Sequence, residues 1–104
     1  FWKKFDNPVF GAYVADLGPE DRVRLQTNRG LKVRAMMKGS PVFNADIFQD
    51  DIITAIDGES PPIARQFYAW VIQKAGQTIE LEIRRGDKTI RRSVSLGKIK
   101  KAAN

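Results

Sequence analysis

Gly39-Ser40-Pro41-Val42-Phe43-Asn44-Ala45-Asp46-Ile47-Phe48-Gln49-Asp50-Asp51-Ile52-Ile53-Thr54-Ala55-Ile56-Asp57-Gly58 holds a short helix and a buried strand between two glycine turns. Ser40 is a good N-cap, because its hydroxyl can accept from a free amide of the first helical turn. Pro41 suits the next position, where the missing N–H costs nothing. The helix this pair starts is expected over 41–46, burying Val42 and Ala45. Asp51 to Ile56 reads as a strand, its apolar run too short for a helix. Asp57-Gly58 is a tight turn.

The pattern extends to both sides. Upstream, Asn7-Pro8 is an entry turn, and Val9-Phe10-Gly11-Ala12-Tyr13-Val14 a strand interrupted early by glycine. After Leu17-Gly18, Pro19 suits the first turn of a short helix through about Leu25, with Glu20 and Asp21 at its positive end. Asn28-Arg29-Gly30 turns the chain. Leu31 to Met36 then alternates apolar and polar positions, a half-buried strand with Lys32 and Arg34 outward. Downstream, Pro61-Pro62 precedes a helix over 63–74. Ile63, Phe67, Trp70, Val71 and Lys74 fall three and four apart on it, giving one stripe, and Gly76 stands where a C′ glycine is wanted. Thr78 to Ile83 alternates strictly, Arg85-Gly86-Asp87 turns, and Thr89 to Leu96 returns as the second strand of a hairpin. The class is α+β: five to six short, mostly antiparallel strands in a partly open barrel or sandwich. Two helices cap it, one short (41–46) and one longer (63–74). Residues 1–8 read as a linker, 9–97 as the domain and 98–104 as a basic tail.

Composition narrows the chemistry. A chain of 104 residues fits one domain. It has no cysteine and no histidine, so it contains no disulfide, no Ser–His–Asp triad, no imidazole base and no His- or Cys-ligated metal. No catalytic residue, cofactor or metal is expected. Asp46, Asp50 and Asp51 are clustered but lack the ligand spacing of a calcium loop. No apolar run reaches the roughly 20 residues of a membrane span, and Phe1 to Phe5 lacks the apolar region of a signal peptide. The chain opens on Phe1 rather than Met, as a piece of a longer protein would. Lysine and arginine outnumber aspartate and glutamate by 18 to 12, a formal +6. The excess gathers at Arg84, Arg85, Lys88, Arg91, Arg92, Lys98, Lys100 and Lys101. No aromatic residue interrupts 84–101, which reads as a solvated hairpin face more readily than as a nucleic-acid surface.

In sequence order, Gly39-Ser40-Pro41, a short helix, Asp51-Ile52-Ile53, Ile56-Asp57-Gly58, a longer helix, Gly76 with Ile79 and Leu81, and Arg85-Gly86 resemble a PDZ domain of the bacterial type. That type accompanies high-temperature-requirement serine proteases, tail-specific proteases and site-2 metalloproteases. The resemblance runs from about Val9 to Leu96. The chain departs from the family pattern in carrying Asp46 and Asp50 where glycine is usual, and Ala12 where a larger aliphatic residue is usual. Asp tolerates left-handed backbone better than most residues.

The resemblance implies a binding module. Phe10-Gly11-Ala12 matches the family's carboxylate-binding loop, whose backbone amides hold the free end of a peptide. Successive N–H groups around a flexible glycine make such a nest, although Gly11 without the other matches would rather mark a bulge in an ordinary strand. The strand from Ala12 to about Asp16 would leave an edge beside the 63–74 helix, to which an extended peptide adds as a further strand. The ligand's last side chain would enter a pocket lined by Phe10, Ala12, Val14, Phe67 and Val71. Phe67 and Val71, four apart, share a helix face; each is alternatively plain core, and Trp70 reads as packing. A charge at Phe67 is expected to abolish binding and spare the fold, whereas unfolding would mark it as core. A hydrophobic C-terminal residue is preferred, and without a histidine at the helix start a hydroxyl two positions upstream is not selected. Affinity on the order of micromolar is expected, because a short peptide loses entropy on ordering. The partner is then a C-terminal or extended peptide, or the module's own protease domain, in the periplasm or cell envelope. Two other readings stand beside it: a PDZ-fold assembly domain, as in a secretion-system component, without carboxylate binding, and a basic nucleic-acid-binding domain. Phe1, Trp2 and Phe5 are apolar enough to fill such a groove themselves.

Overall fold

The computed structural model describes residues 9–27, 29–61 and 63–98. The expected linker 1–8, with Phe1, Trp2 and Phe5, and the expected tail beyond Lys98 lie outside the described residues.

Five strands form one antiparallel sheet in chain order: β1 (Ala12–Asp16), β2 (Leu31–Met36), β3 (Ile52–Ile56), β4 (Thr78–Arg85) and β5 (Lys88–Ser95). Three helices accompany them: α1 (Pro19–Leu25), α2 (Pro41–Asn44) and α3 (Ala64–Gln73). α2 and α3 are the two capping helices expected from the sequence, and α1 is the short helix expected from Pro19 through about Leu25. The short turn of helix at Pro19 is a full element because Leu25 is buried against Leu17 and Ile52, a small apolar cluster apart from the main core.

Local chemistry accounts for most boundaries. Ser40 caps α2 as its position predicts, its Oγ accepting from the Phe43 N–H at 3.3 Å. α2 stops at Asn44 rather than 46 because Asp46 adopts a left-handed backbone (φ 62°), which a helix cannot continue through. Asp50 (φ 74°) and the Asp57–Gly58 turn (φ 50° and 86°) use the same region. β4 buries Ile79, Leu81 and Ile83 on alternate positions, and β3, in the middle of the sheet, is buried on both faces. β5 alternates poorly because only Val94 along it is fully buried.

β2 and β3 pair only at Leu31–Ile53 and Lys32–Ile52. Beyond them the Val33 N–H donates to the Asp51 carbonyl and the Asp50 N–H to the Val33 carbonyl, and the strands part where α2 is inserted. The sheet curls until its far ends meet: the Gly97 N–H, just past β5, donates to the Val9 carbonyl, just before β1 (3.0 Å). Phe10, Val14, Leu31, Val33, Val42, Ile47, Ile53, Phe67, Val71, Leu81 and Val94 fill the enclosed core. α3 closes the open side against β1, and the cleft between them is the candidate site.

Candidate functional site

The expected strand over 9–14 begins at Ala12 instead. Val9 and Phe10 bend away from the sheet, and Gly11 makes the bend at φ 91°. Only glycine fits there, since a Cβ on Gly11 would collide with the Cβ of Ser40. The carbonyls of this bend are spent inside the domain. Val9 O accepts from the Gly97 N–H, Phe10 O from the Val42 N–H (3.2 Å), and Gly11 O from the Met37 N–H (2.8 Å) and the Ser40 hydroxyl (3.4 Å). Among the described residues the N–H groups of Phe10 and Gly11 donate to no acceptor. Ala12 turns its carbonyl toward α3, where the Tyr68 hydroxyl meets it, and a strand residue sends its N–H to the same side as its carbonyl. The bend is thus tied down through its acceptors while its donors stay available.

These donors border an apolar cavity of about 510 Å³. It is lined by Val9, Phe10, Gly11, Ala12 and Tyr13 from the bend and β1, by Ala35, Met36 and Met37 around the end of β2, and by Tyr68, Val71 and Ile72 from α3. None of these residues is charged. An anion placed there would be held by backbone dipoles alone, with apolar surroundings that strengthen each hydrogen bond.

Of the residues singled out in the sequence, Phe10, Gly11, Ala12 and Val71 come together on this cavity, whereas Val14 and Phe67 do not line it. Both belong to the core beneath. Phe67 is 0% exposed, with its ring edge-on to Phe10, centroids 5.2 Å apart. Being inside the core, Phe67 holds the floor of the cleft rather than its wall. The helix presents Tyr68 and Ile72 there instead, a row four apart and turned about 100° from Phe67. The signal for that row was Ile72 itself, an aliphatic residue off the buried stripe and 49% exposed. Met36 and Met37 escape periodicity because they lie where the strand runs out.

Two contacts span the cleft. The Tyr68 hydroxyl accepts from the Val14 N–H at 2.8 Å and donates to the Ala12 carbonyl at 3.2 Å. Further along, an Asp16 carboxylate oxygen accepts from the Ala64 N–H at 2.8 Å. It serves as the cap that Ile63, in the N-cap position of α3, has no side-chain oxygen to provide.

No family profile matches the chain and no curated protein matches it in sequence. Its likeness to known proteins is three-dimensional. The PDZ domain of HtrA3, solved with a phage-derived ligand (FGRWV), superposes with a TM-score of 0.74 at 21% identity, covering 84% of this chain and 82% of that one. The HtrA-type protease AlgW with a tripeptide gives 0.75 at 22% identity, covering 85% of this chain and 30% of that one. An AlgW variant with a decapeptide gives 0.78 at 22% identity, covering 85% and 28%. The chain therefore has the PDZ fold, and it spans under a third of the AlgW chains it matches.

Proposed function

We propose that this domain is a peptide-binding module. It captures hydrophobic C-terminal or extended peptide segments by strand addition to the β1 edge, and serves as the regulatory or substrate-presenting part of a larger protease of the cell envelope. The observation that carries the reading is the pairing of undonated N–H groups at Phe10 and Gly11 with an uncharged apolar cavity beside a sheet edge. A peptide's free end supplies both complements at once: a carboxylate for the amides and a side chain for the cavity. The protease context rests on the likeness to HtrA-type proteins, some of them with bound peptides, and the envelope location on the family resemblance of the sequence alone. The module's own protease domain is a second candidate partner.

Ile72→Glu tests the site directly. The side chain is about half exposed, so a charge there leaves the core intact while placing an anion on the cleft wall. A five-residue peptide ending in valine is expected to lose at least tenfold in affinity, with the urea midpoint of the domain unchanged. Undiminished binding would remove the cleft from the account.

The assembly reading is favoured by one observation, the spanning contacts at Tyr68 and Asp16, which occupy part of the edge a peptide needs. It predicts no peptide binding by either protein.

A further inference from the structure

The Tyr68 hydroxyl does to β1 what a guest strand would do. It accepts from one edge N–H (Val14) and donates to the edge carbonyl two residues earlier (Ala12). Those are the neighbouring outward groups of an edge strand, and a paired chain satisfies them with one carbonyl and one N–H of its own. A phenol offers the same pair of functions on a single oxygen. Its ring is held for the purpose, edge-on to the buried Phe67 with centroids 6.0 Å apart.

From this we infer that Tyr68 is the specificity-determining residue of the groove. Its hydroxyl stands in for one peptide group of a ligand, so strand addition along β1 proceeds only as the ligand's main chain displaces it. The inference rests on the peptide-binding reading and deepens it. Among the described residues, the deep end of the cleft, at the Phe10 and Gly11 amides, is reached without displacing any hydrogen bond. A small carboxylate with an apolar tail reaches that end and leaves the hydroxyl in place. A peptide has to exchange its own N–H and carbonyl for those of the tyrosine. Among ligands long enough to pass this point, the groove thereby favours those that bring a complete main-chain donor and acceptor, whereas a ligand that stops at the deep end is indifferent to the hydroxyl.

The test compares wild type with Tyr68→Phe, which keeps the ring and removes the competing oxygen. Val14 amide exchange, followed by NMR in the free proteins, should be faster in the variant; equal protection would show that the hydroxyl does not hold the edge, and would overturn the inference. An acetylated five-residue peptide ending in valine should bind Tyr68→Phe roughly three- to tenfold more tightly, the net worth of one to two hydrogen bonds no longer displaced. Equal or weaker binding by the variant would also overturn it. As the control, 4-methylpentanoate has a carboxylate and an apolar tail but no peptide group. It should shift the Phe10–Ala12 amides equally in both proteins, and a preference for the variant would contradict the displacement argument. If neither probe moves those amides in either protein, the peptide-binding reading fails and the inference falls with it. If the amides move but Tyr68→Phe brings no gain, only the inference fails.

Discussion

Arg85 grips Asp51 with two hydrogen bonds, Nε at 2.9 Å from one carboxylate oxygen and Nη2 at 2.7 Å from the other. The pair joins the end of β4 to the start of β3, two places the sequence marks separately as Asp51-Ile52-Ile53 and Arg85-Gly86. Asp51 is 2% exposed, and one of its oxygens also accepts the Phe48 N–H at 2.8 Å. The guanidinium donates further to the Asp46 carbonyl and lies 4.0 Å over the Phe48 ring. The hydrogen bond to Asp51 raises the pKa of Arg85. One ion pair thus fastens the left-handed loop of Asp46 and Asp50 to the sheet, and the Asp51 carboxylate is engaged with protein donors rather than offered to a cation.

Breaking that node should be costly. Asp51→Asn keeps the size but cannot accept both Arg85 donors, so a loss of about 2 kcal/mol is expected from urea unfolding at neutral pH. Arg85→Lys should lose a similar amount, and the double variant much less than the sum, since both disrupt one interaction. A loss below about 0.5 kcal/mol for Asp51→Asn, the range of an ordinary surface change, would contradict the assignment.

Phe67 and Ile72 should separate stability from binding. Phe67→Leu removes buried ring atoms and the edge contact to Phe10, an expected loss of about 1–2 kcal/mol. Phe67→Asp should unfold the domain, because a carboxylate in the core has no partner. Circular dichroism and denaturant midpoints check both. A folded Phe67→Asp variant that has merely lost peptide binding would return Phe67 to the wall of the cleft.

Acid should weaken the fold in a way traceable to Asp57. Its carboxyl is held below the usual carboxylate range by the Glu80 N–H (2.8 Å) and then by Lys74 (3.1 Å). A folded-state pKa below the unfolded one contributes stability above the unfolded value. That contribution is lost as pH falls through the folded value, here below about pH 4. Asn tolerates the left-handed backbone of this position and can still accept from Glu80 but does not titrate. Asp57→Asn should therefore show a smaller fall in urea midpoint between pH 7 and pH 3 than wild type. Some fall will remain, because Asp21 is similarly depressed by Arg24 and Lys32. An identical fall in both proteins would rule Asp57 out.

The parts of this fold that are legible in the sequence are those decided within a few residues. Ser40 and Pro41 mark the start of α2 because a cap acts three residues ahead of itself. Ile79, Leu81 and Ile83 mark β4 because one buried face imposes a period of two. Gly11 is recognisable as a special position, although only the packing of Ser40 against it shows why no other residue fits. What the sequence hides is decided across long separations. Asp16 caps a helix that starts 48 positions later, and Tyr68 bonds to Val14 and Ala12 from 54 and 56 positions away. The helix stripe shows that α3 has a buried face. It does not say which neighbouring row borders a cleft: Val71 of the stripe reaches the cavity and Phe67 does not, and Tyr68 and Ile72 complete the wall beside Val71.

The central claim is that the N–H groups at Phe10, Gly11 and Ala12, which meet no acceptor among the described residues, receive a carboxylate. A titration monitored by amide chemical shifts, using a valine-ended peptide and the same peptide capped as its C-terminal amide, tests it most directly. The acid should bind with Kd on the order of micromolar and shift these three amides most; the capped peptide should bind at least tenfold more weakly, having lost its charge-assisted hydrogen bonds. Equal binding of the two peptides, or shifts that leave Phe10 to Ala12 untouched, would contradict it.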